Sequence, residues 1–500
     1  MRRAFDSNLR FGGTPIENLA LDLDCRSPMT PVLRALQHVY AQAELRDEIL
    51  AKIAADVHSY RSADLGRWGL DYWQILVLAS VRLGCNFTYD QMQDLALNHR
   101  ALRQMMGLSD WGVFAPGLHN PFSWRRIREN VCLVKPETIK AVSDLVVQEG
   151  HRLAPEAAQT VRGDSFVVGT NIHHPTDSSL LGDGLRKLLE IAPDLAALTG
   201  QKGWRQHKHL LKVLRGRLKA VNMSARSRGP GRDRKLRNAY TELFTFADDI
   251  LLRAIATHEA AIAVPLQGQS LAGAEIKRLM SDIVYYLSAT EYVRGLAVRR
   301  IIDEEVVANA EKIFSVFEPH TELINRGKQP LPIEFGHRVL VFEDAVGFIC
   351  HHEVHDIGVR DPDILVPALL RLQERLGGRV RSISFDCGFH SPENQTAINR
   401  LIPHPCLPAR GVKKAAEQNA AATVEFRAAR RRHPGIESAI HALQAGNGLD
   451  RCRDRRFIGY QRYIALAVLG RNLHVLGDLL IRQEAPQAVA ANTKRKALRN

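Results

Sequence analysis

This chain lacks the spacing for a disulfide framework or a zinc site. Its seven cysteines (Cys25, Cys85, Cys132, Cys350, Cys387, Cys406 and Cys452) are scattered, odd in number and never spaced Cys-x-x-Cys. That is the usage of a reducing compartment. No phosphate-cradling Gly-x-x-x-x-Gly-Lys-Ser/Thr segment occurs, so NTP hydrolysis and a nucleotide cofactor have no support. Long apolar runs are missing too. The best stretch, 463–481, is interrupted by Arg471, His474 and Asp478, short of the roughly 18 apolar residues that span a membrane. The first eight residues carry two arginines and no apolar stretch after them, so no secretory signal is expected. These absences predict a cytoplasmic protein without a membrane partner.

What is present is size and positive charge. Five hundred residues, 45% of them hydrophobic, exceed one core and predict two or three domains. The formal net charge is +14 and the pI about 9.6, a balance that favours a polyanionic partner, most often nucleic acid. Most of that excess lies in 202–238. Thirteen Lys or Arg fall there, Lys202, Arg205, Lys208, Lys212, Arg215, Arg217 and Lys219 among them, against one acid, Asp233. Solvated helices usually mix both signs, so a run this lopsided predicts contact with a phosphate backbone.

Periodicity divides the chain. Residues 31–155 read as helical, with apolar positions at helical spacing over 71–83 and a break at 84–87. Thr88 with Gln91 predicts a capping box. Such a helix pair is either a DNA-reading helix-turn-helix or an ordinary packing hairpin. Residues 160–171 predict a buried strand, and Ser178 and Ser179 are candidate caps for a helix over 180–191. After a helical stretch to about 325, strands are expected over 334–342, 347–354 and 379–385, with a helix over 366–376. Helical patterns return over 415–444, broken at Pro434-Gly435, and over 449–480.

Three acids then stand out. Asp164 lies in the first strand pattern, Asp386 ends a second one, and Glu437 follows a helix break. Phosphodiester chemistry needs attacking and leaving oxygens stabilised together, which two Mg²⁺ ions do about 3.5–4 Å apart. Hard Mg²⁺ takes oxygen ligands, so a few carboxylates suffice. Two strand carboxylates and one from a helix therefore form a candidate two-Mg²⁺ site, in which Mn²⁺ can substitute. His351-His352-Glu353-Val354-His355 resembles a zinc-protease motif only at a glance, because one residue separates Glu353 from His355 where two are required.

Several blocks carry a family resemblance. Thr170-Asn171-Ile172-His173-His174-Pro175-Thr176-Asp177-Ser178-Ser179-Leu180-Leu181 resembles the block after the first catalytic Asp of bacterial insertion-sequence DDE transposases, in an ISNCY-like group. Phe385-Asp386-Cys387-Gly388-Phe389-His390-Ser391-Pro392-Glu393-Asn394 resembles their second-Asp block. Arg432-His433-Pro434-Gly435-Ile436-Glu437-Ser438-Ala439-Ile440, then Gly448-Leu449-Asp450-Arg451-Cys452, resembles the Glu block. His320-Thr321-Glu322-Leu323-Ile324 and Glu334-Phe335-Gly336 match the middle region.

The resemblance implies an α/β RNase H-like catalytic core, a mixed sheet flanked by helices. It places a helical DNA-binding region ahead of that core, at 1–155, and the core at 156–182 and 331–480. A basic helical insertion at 183–330 and a disordered basic tail at 481–500 complete the layout. It implies binding of double-stranded DNA at terminal inverted repeats and target, metal-dependent cleavage and strand transfer, and a homo-oligomer on DNA in a bacterial, nucleoid-associated setting. Asp164, Asp386 and Glu437 take the catalytic and metal-ligand positions, with Asp177 competing for the first. Arg430, Arg431 and Arg432 join the run at 202–219 as DNA contacts. Cys387 and Gln444 stand where related chains carry basic residues. The alternative is a catalytically inactive derivative that binds DNA and represses transposition.

Overall fold

In the computed structural model the described residues are 13–60, 69–108, 122–264, 271–325, 332–409 and 423–497, without side chains at 59, 60, 271 and 485–497. The chain forms two compact units, residues 1–171 with 336–500 and residues 172–335. It is mostly helical, with one mixed six-stranded sheet flanked by helices.

The first unit begins with α1 (Met29–Ala41), α2 (Ala43–Tyr60), α3 (Tyr72–Gly84), α4 (Tyr89–Asn98), α5 (Arg100–Met105), α6 (Trp124–Val131) and α7 (Pro136–Leu153). Asp71 and Gln74 cap α3 reciprocally, and Thr88 and Gln91 cap α4 in the same way. Every residue of α3 except Gln74 is buried. It is a core helix, and α4 after it leaves Asp90 and Asp94 exposed.

Strand β1 (Thr160–Gly169) follows, and the chain then enters the second unit through α8 (Asp177–Leu198), α9 (His207–Arg226), α10 (Arg232–Ile262), α11 (Leu271–Ile301) and β2 (Glu322–Asn325). The cap of α8 is Thr176, with Ser179 as its capping-box partner, rather than Ser178 or Ser179. Thr176 is the last extended residue before the turn, which is what a cap position requires. Leu181, Leu185, Leu188, Leu243, Ala247, Ile283 and their neighbours form this unit's own core.

Strand β3 (Ile333–Asp344) leads back. β4 (Ile349–Val354), α12 (Asp361–Arg375), β5 (Ser382–Ser384), α13 (Pro392–Leu401), β6 (His404–Cys406), α14 (Val424–Arg432), α15 (Gly435–His441) and α16 (Phe457–Ala497) complete the chain. The strand order is β2-β3-β1-β5-β6, with β4 also on β3. β3 runs antiparallel to β1 and β4, while β1, β5 and β6 are parallel.

Three expectations shift. α12 starts five residues early, because Pro362 suits a first turn and Arg360 with Asp363 closes a capping box. β5 keeps only three residues of the expected seven. The tail at 481–500, expected to be disordered, begins inside α16, whose backbone stays helical through Ala497 across an alanine-rich segment that favours helix. Residues 415–422 of the expected helix lie outside the described residues.

The Phe457–Glu484 part of α16 is long and apolar enough to cross a membrane, yet 72% of its most apolar 18-residue stretch is buried inside the protein. It is the axis of the first core, packed against α1, α3 and α7. Glycines let the neighbours close in. A Cβ on Gly470 would sit 2.5 Å from the Gly84 nitrogen, and one on Gly477 only 1.9 Å from the Pro31 carbonyl oxygen.

Candidate functional site

The site begins with strand register. Val341 on β3 lies opposite Asp164, and Glu343 opposite Arg162. On the other side of β1, Arg162 pairs in parallel with Ser384 of β5. Side chains alternate along a strand, so Arg162 and Asp164 share one face of β1, and Asp386 follows two residues after Ser384, the last residue of β5. Asp164 is half-buried and Asp386 exposed. Asp386 caps the single turn 387–389 by accepting from the Cys387 N–H.

Glu437 lies on α15, which packs on β1. The holding contacts are side chains that the sequence does not advertise. Arg162 Nε donates to the Glu343 carboxylate at 2.5 Å, and its Nη1 donates to the Arg432 carbonyl at 3.0 Å. His433 Nδ1 lies 3.2 Å from Ser384 Oγ. A Cβ on Gly435 would meet the Arg162 guanidinium at 2.1 Å, so a larger residue there would displace the end of that side chain. Burial lowers the His433 pKa, while the charges of Asp386 and Glu437 pull it upward. One imidazole therefore feels both carboxylates. Burial raises Glu343 against the pull of Arg162. Glu437 itself is exposed, one helical turn beyond His433.

Asp386 and Glu437 thus both act on His433, and Arg430, Arg431 and Arg432 form the last turn of α14 just ahead of it. The competitor Asp177 opens α8 in the second unit, and Arg300 Nη1 donates to both of its oxygens at 2.7 and 2.8 Å. Cys387 is half-buried next to Asp386, and Gln444 lies in the wide turn Ala442–Gly446 after α15.

Three acids at 164, 386 and 437 do not form a closed cage. Among the described residues, the cluster whose ligand atoms all lie within 4.8 Å is His151, Asp344 and Cys350. A pair of ions about 4 Å apart, each about 2 Å from its ligands, holds donors up to ~8 Å from one another, so an open carboxylate set suits two ions. The tight cluster is a different object. His151 Nε2 lies 2.8 Å from Asp344 Oδ2, and Arg379 Nη2 donates to His151 Nδ1 at 3.3 Å. Asp344 Oδ1 accepts from the backbone N–H groups of Val346, Gly347 and Phe348. Burial pushes the Cys350 thiol well up, so it stays protonated. The cluster closes the β3–β4 turn with its charges already matched.

The His351–His355 run lies on β4 and its loop, not on a helix. Glu353 is held by His351 at 2.6 Å and by Arg371 at 2.6 and 2.8 Å. Burial lowers the pKa of His351 to about 4 and also lowers those of His352 and His355. In the unfolded chain these imidazoles titrate near 6.5. Between about pH 6.5 and 4 the unfolded chain binds more protons, so stability falls as pH falls through that window. Urea midpoints at pH 7.5 and 5.5 should differ accordingly, and equal midpoints would contradict it.

In the second unit the basic run resolves into a stripe. Lys208, Lys212, Arg215, Lys219 and Arg226 repeat at steps of four, three, four and seven along α9, which keeps them on one side of the helix. All five are exposed, while Leu214 and Val221 are buried on the other side. Eighteen residues of rise make the stripe about 27 Å long. Among the described residues, none of the five forms an ion pair, and neither does Lys202 or Arg205. Arg217 is engaged by Glu242 of α10.

No protein-family model, curated protein or solved structure matches this chain.

Proposed function

We propose that the chain is a DDE transposase: a DNA-binding enzyme that cuts and joins phosphodiester bonds at element ends through an RNase H-like core. The observation that supports this reading is that β1, which carries Asp164, pairs in parallel with β5, which leads into Asp386, while α15, which carries Glu437, packs on β1. All three offer hard oxygen donors at an open surface, the donor set and access that Mg²⁺ and a duplex both need. Two Mg²⁺ ions, or Mn²⁺, held by Asp164, Asp386 and Glu437 would neutralise charge on the attacking and leaving oxygens.

The remaining residues hold this arrangement. Arg162 ties the end of α14, just ahead of the Glu437 helix, to the sheet by bonding both Glu343 and the Arg432 carbonyl. His433, anchored on Ser384, keeps the turn between α14 and α15 close to Asp386. Lys202, Arg205 and the α9 stripe would grip duplex phosphates without reading sequence, and oligomers would pair two ends.

The test is nicking of a duplex built from the DNA that flanks the reading frame. Nicking is expected with Mg²⁺ or Mn²⁺, and is lost on chelation and in Asp386→Ala, while that variant binds the duplex as before. Binding without nicking by the unaltered chain under any divalent metal would overturn the enzymatic reading and leave a DNA-binding repressor.

A further inference from the structure

We propose that the first unit carries a binding site for a small organic carboxylate, in the cavity bounded by α7, β4, α12 and α16. The cavity has a volume of about 330 Å³ and takes its polar lining from Glu137, Lys140, His352, Glu353, Arg371 and Gln461. That size falls among ordinary small-molecule sites. It shares no lining residue with the acids at 164, 386 and 437, and it stands whether or not the chain cuts DNA.

Charge sets what the cavity takes. Arg371 is engaged by Glu353, which it bonds twice, at 2.6 and 2.8 Å. Arg375, one turn on along α12, is paired with Asp144 of α7. Lys140 has no such partner. Its ammonium donates to the His352 carbonyl at 2.8 Å and forms no ion pair among the described residues, which leaves two N–H groups. Glu137, one turn earlier on α7, is exposed and makes no ion pair with it, so its charge is screened by water. Lys140 itself is half-buried. Burial lowers its pKa to about 8, and the charge of Arg375 acts in the same direction. A cation withdrawn from water without an anion is costly, and an anion in the cavity relieves that cost.

His352 is the independent sign. It is 6% exposed, and its ring bonds no described residue, although buried polar groups normally have a partner. Burial holds its pKa well below the usual value, so at pH 7 the ring is neutral and one nitrogen carries a proton to donate. The half-buried Gln461 amide, also unbonded among the described residues, is a further donor at the lining. One unmatched cation calls for a monoanion. A phosphate monoester, at about −1.5 to −2 near pH 7, would leave negative charge beside Glu353 and Glu137. Pro136, Val354 and Ala465 give the cavity an apolar wall, which suits an organic body rather than a bare inorganic ion.

The experiment is calorimetric titration of the full chain with benzoate, with its neutral isostere benzamide, and with phenyl phosphate. Benzoate is expected to bind at pH 7, with benzamide at least tenfold weaker. Lys140→Gln, which can still donate to the His352 carbonyl, should weaken benzoate roughly 10- to 100-fold, the worth of a hydrogen bond to a charged group, and leave benzamide unchanged. In the unaltered chain, benzoate affinity should fall as pH rises through about 8, where Lys140 loses its proton. The other charged groups facing it are Glu137 and Asp144 on α7, Glu353 on β4, and Arg371 and Arg375 on α12, types that do not titrate between pH 7 and 9. His351 and His352 on β4 are already neutral there. No benzoate binding, equal binding of benzamide, or a flat pH profile overturns the site. Tighter binding of phenyl phosphate overturns the carboxylate assignment. A random duplex that displaces benzoate, and that Lys140→Gln weakens equally, would give Lys140 to a nucleic-acid surface and overturn the small-molecule site.

Discussion

Replacing Asp454 by alanine is expected to lower the stability of the first unit by about 3–5 kcal/mol, the usual cost of stranding a buried charge. Its partner, Arg82, is 2% exposed on α3. The pair is bidentate, Nη2 to Oδ1 at 2.7 Å and Nη1 to Oδ2 at 3.3 Å, and the guanidinium lies 3.9 Å over the Tyr89 ring. Without Asp454 the guanidinium has no anion in a core that already leaves Arg82 Nε unbonded. Native domains hold only ~5–15 kcal/mol in total, so the loss should show as a large drop in urea midpoint followed by circular dichroism. Removing both charges tests the cause. Arg82→Met with Asp454→Leu should recover most of the loss, because a buried pair gains little over apolar packing of similar volume. A double variant as unstable as Asp454→Ala would place the cost elsewhere.

That pair also explains a stretch of sequence. Gly448–Cys452 lies just ahead of Asp454, and its backbone pairs with the end of β1: the Gly169 N–H donates to the Asp450 carbonyl at 3.2 Å and the Cys452 N–H to the Gly169 carbonyl at 2.7 Å. Arg453 next bonds Asn86 and the Tyr463 hydroxyl. The segment after the Glu437 helix therefore anchors the candidate site to the helical part of the same unit. The Arg453 guanidinium serves that anchoring inside the protein.

How much of this the residues disclose depends on the range of the interaction. The Thr88–Gln91 cap is local, and so is the β-branched run of β1; both are legible from neighbours in sequence. The acids at 164, 386 and 437 are visible as strand and helix-start acids, whereas the pairing of β1 with β5 joins elements more than 200 positions apart. The Arg162 bracket is not visible. Its partners lie 181 and 270 positions away, and an arginine in a strand has no local signature for either. His433 is hidden for the same reason, although its place four residues before Glu437 on a helical path is a hint. Asp177 is conspicuous in its Pro-Thr-Asp, while its ion pair with Arg300, 123 positions on, is not visible in the sequence. Charge runs show a similar limit: thirteen basic residues can be counted, but which of them are free is a tertiary fact.

That last point sets the second large effect. Reversing Lys212, Arg215 and Lys219 together to glutamate is expected to weaken duplex binding on the order of 10²-fold at 0.15 M salt, alike for all sequences. The magnitude follows from counterion release. A 27 Å stripe faces about 16 phosphates of a duplex, and each phosphate left unneutralised makes the slope of log K against log salt shallower by about 0.9. Removing three cations should flatten it by about 3. Arg217→Glu alone is expected to do much less, although it sits between Arg215 and Lys219 in sequence, because its guanidinium is already matched by Glu242. A solvated face without function would give a different pattern, with all four positions equal and the slope unmoved. A titration of one random duplex across 50–200 mM salt separates the two. An unchanged slope in the triple variant would remove α9 from the interface and leave Arg430, Arg431 and Arg432, beside the carboxylates, as the basic group to test next.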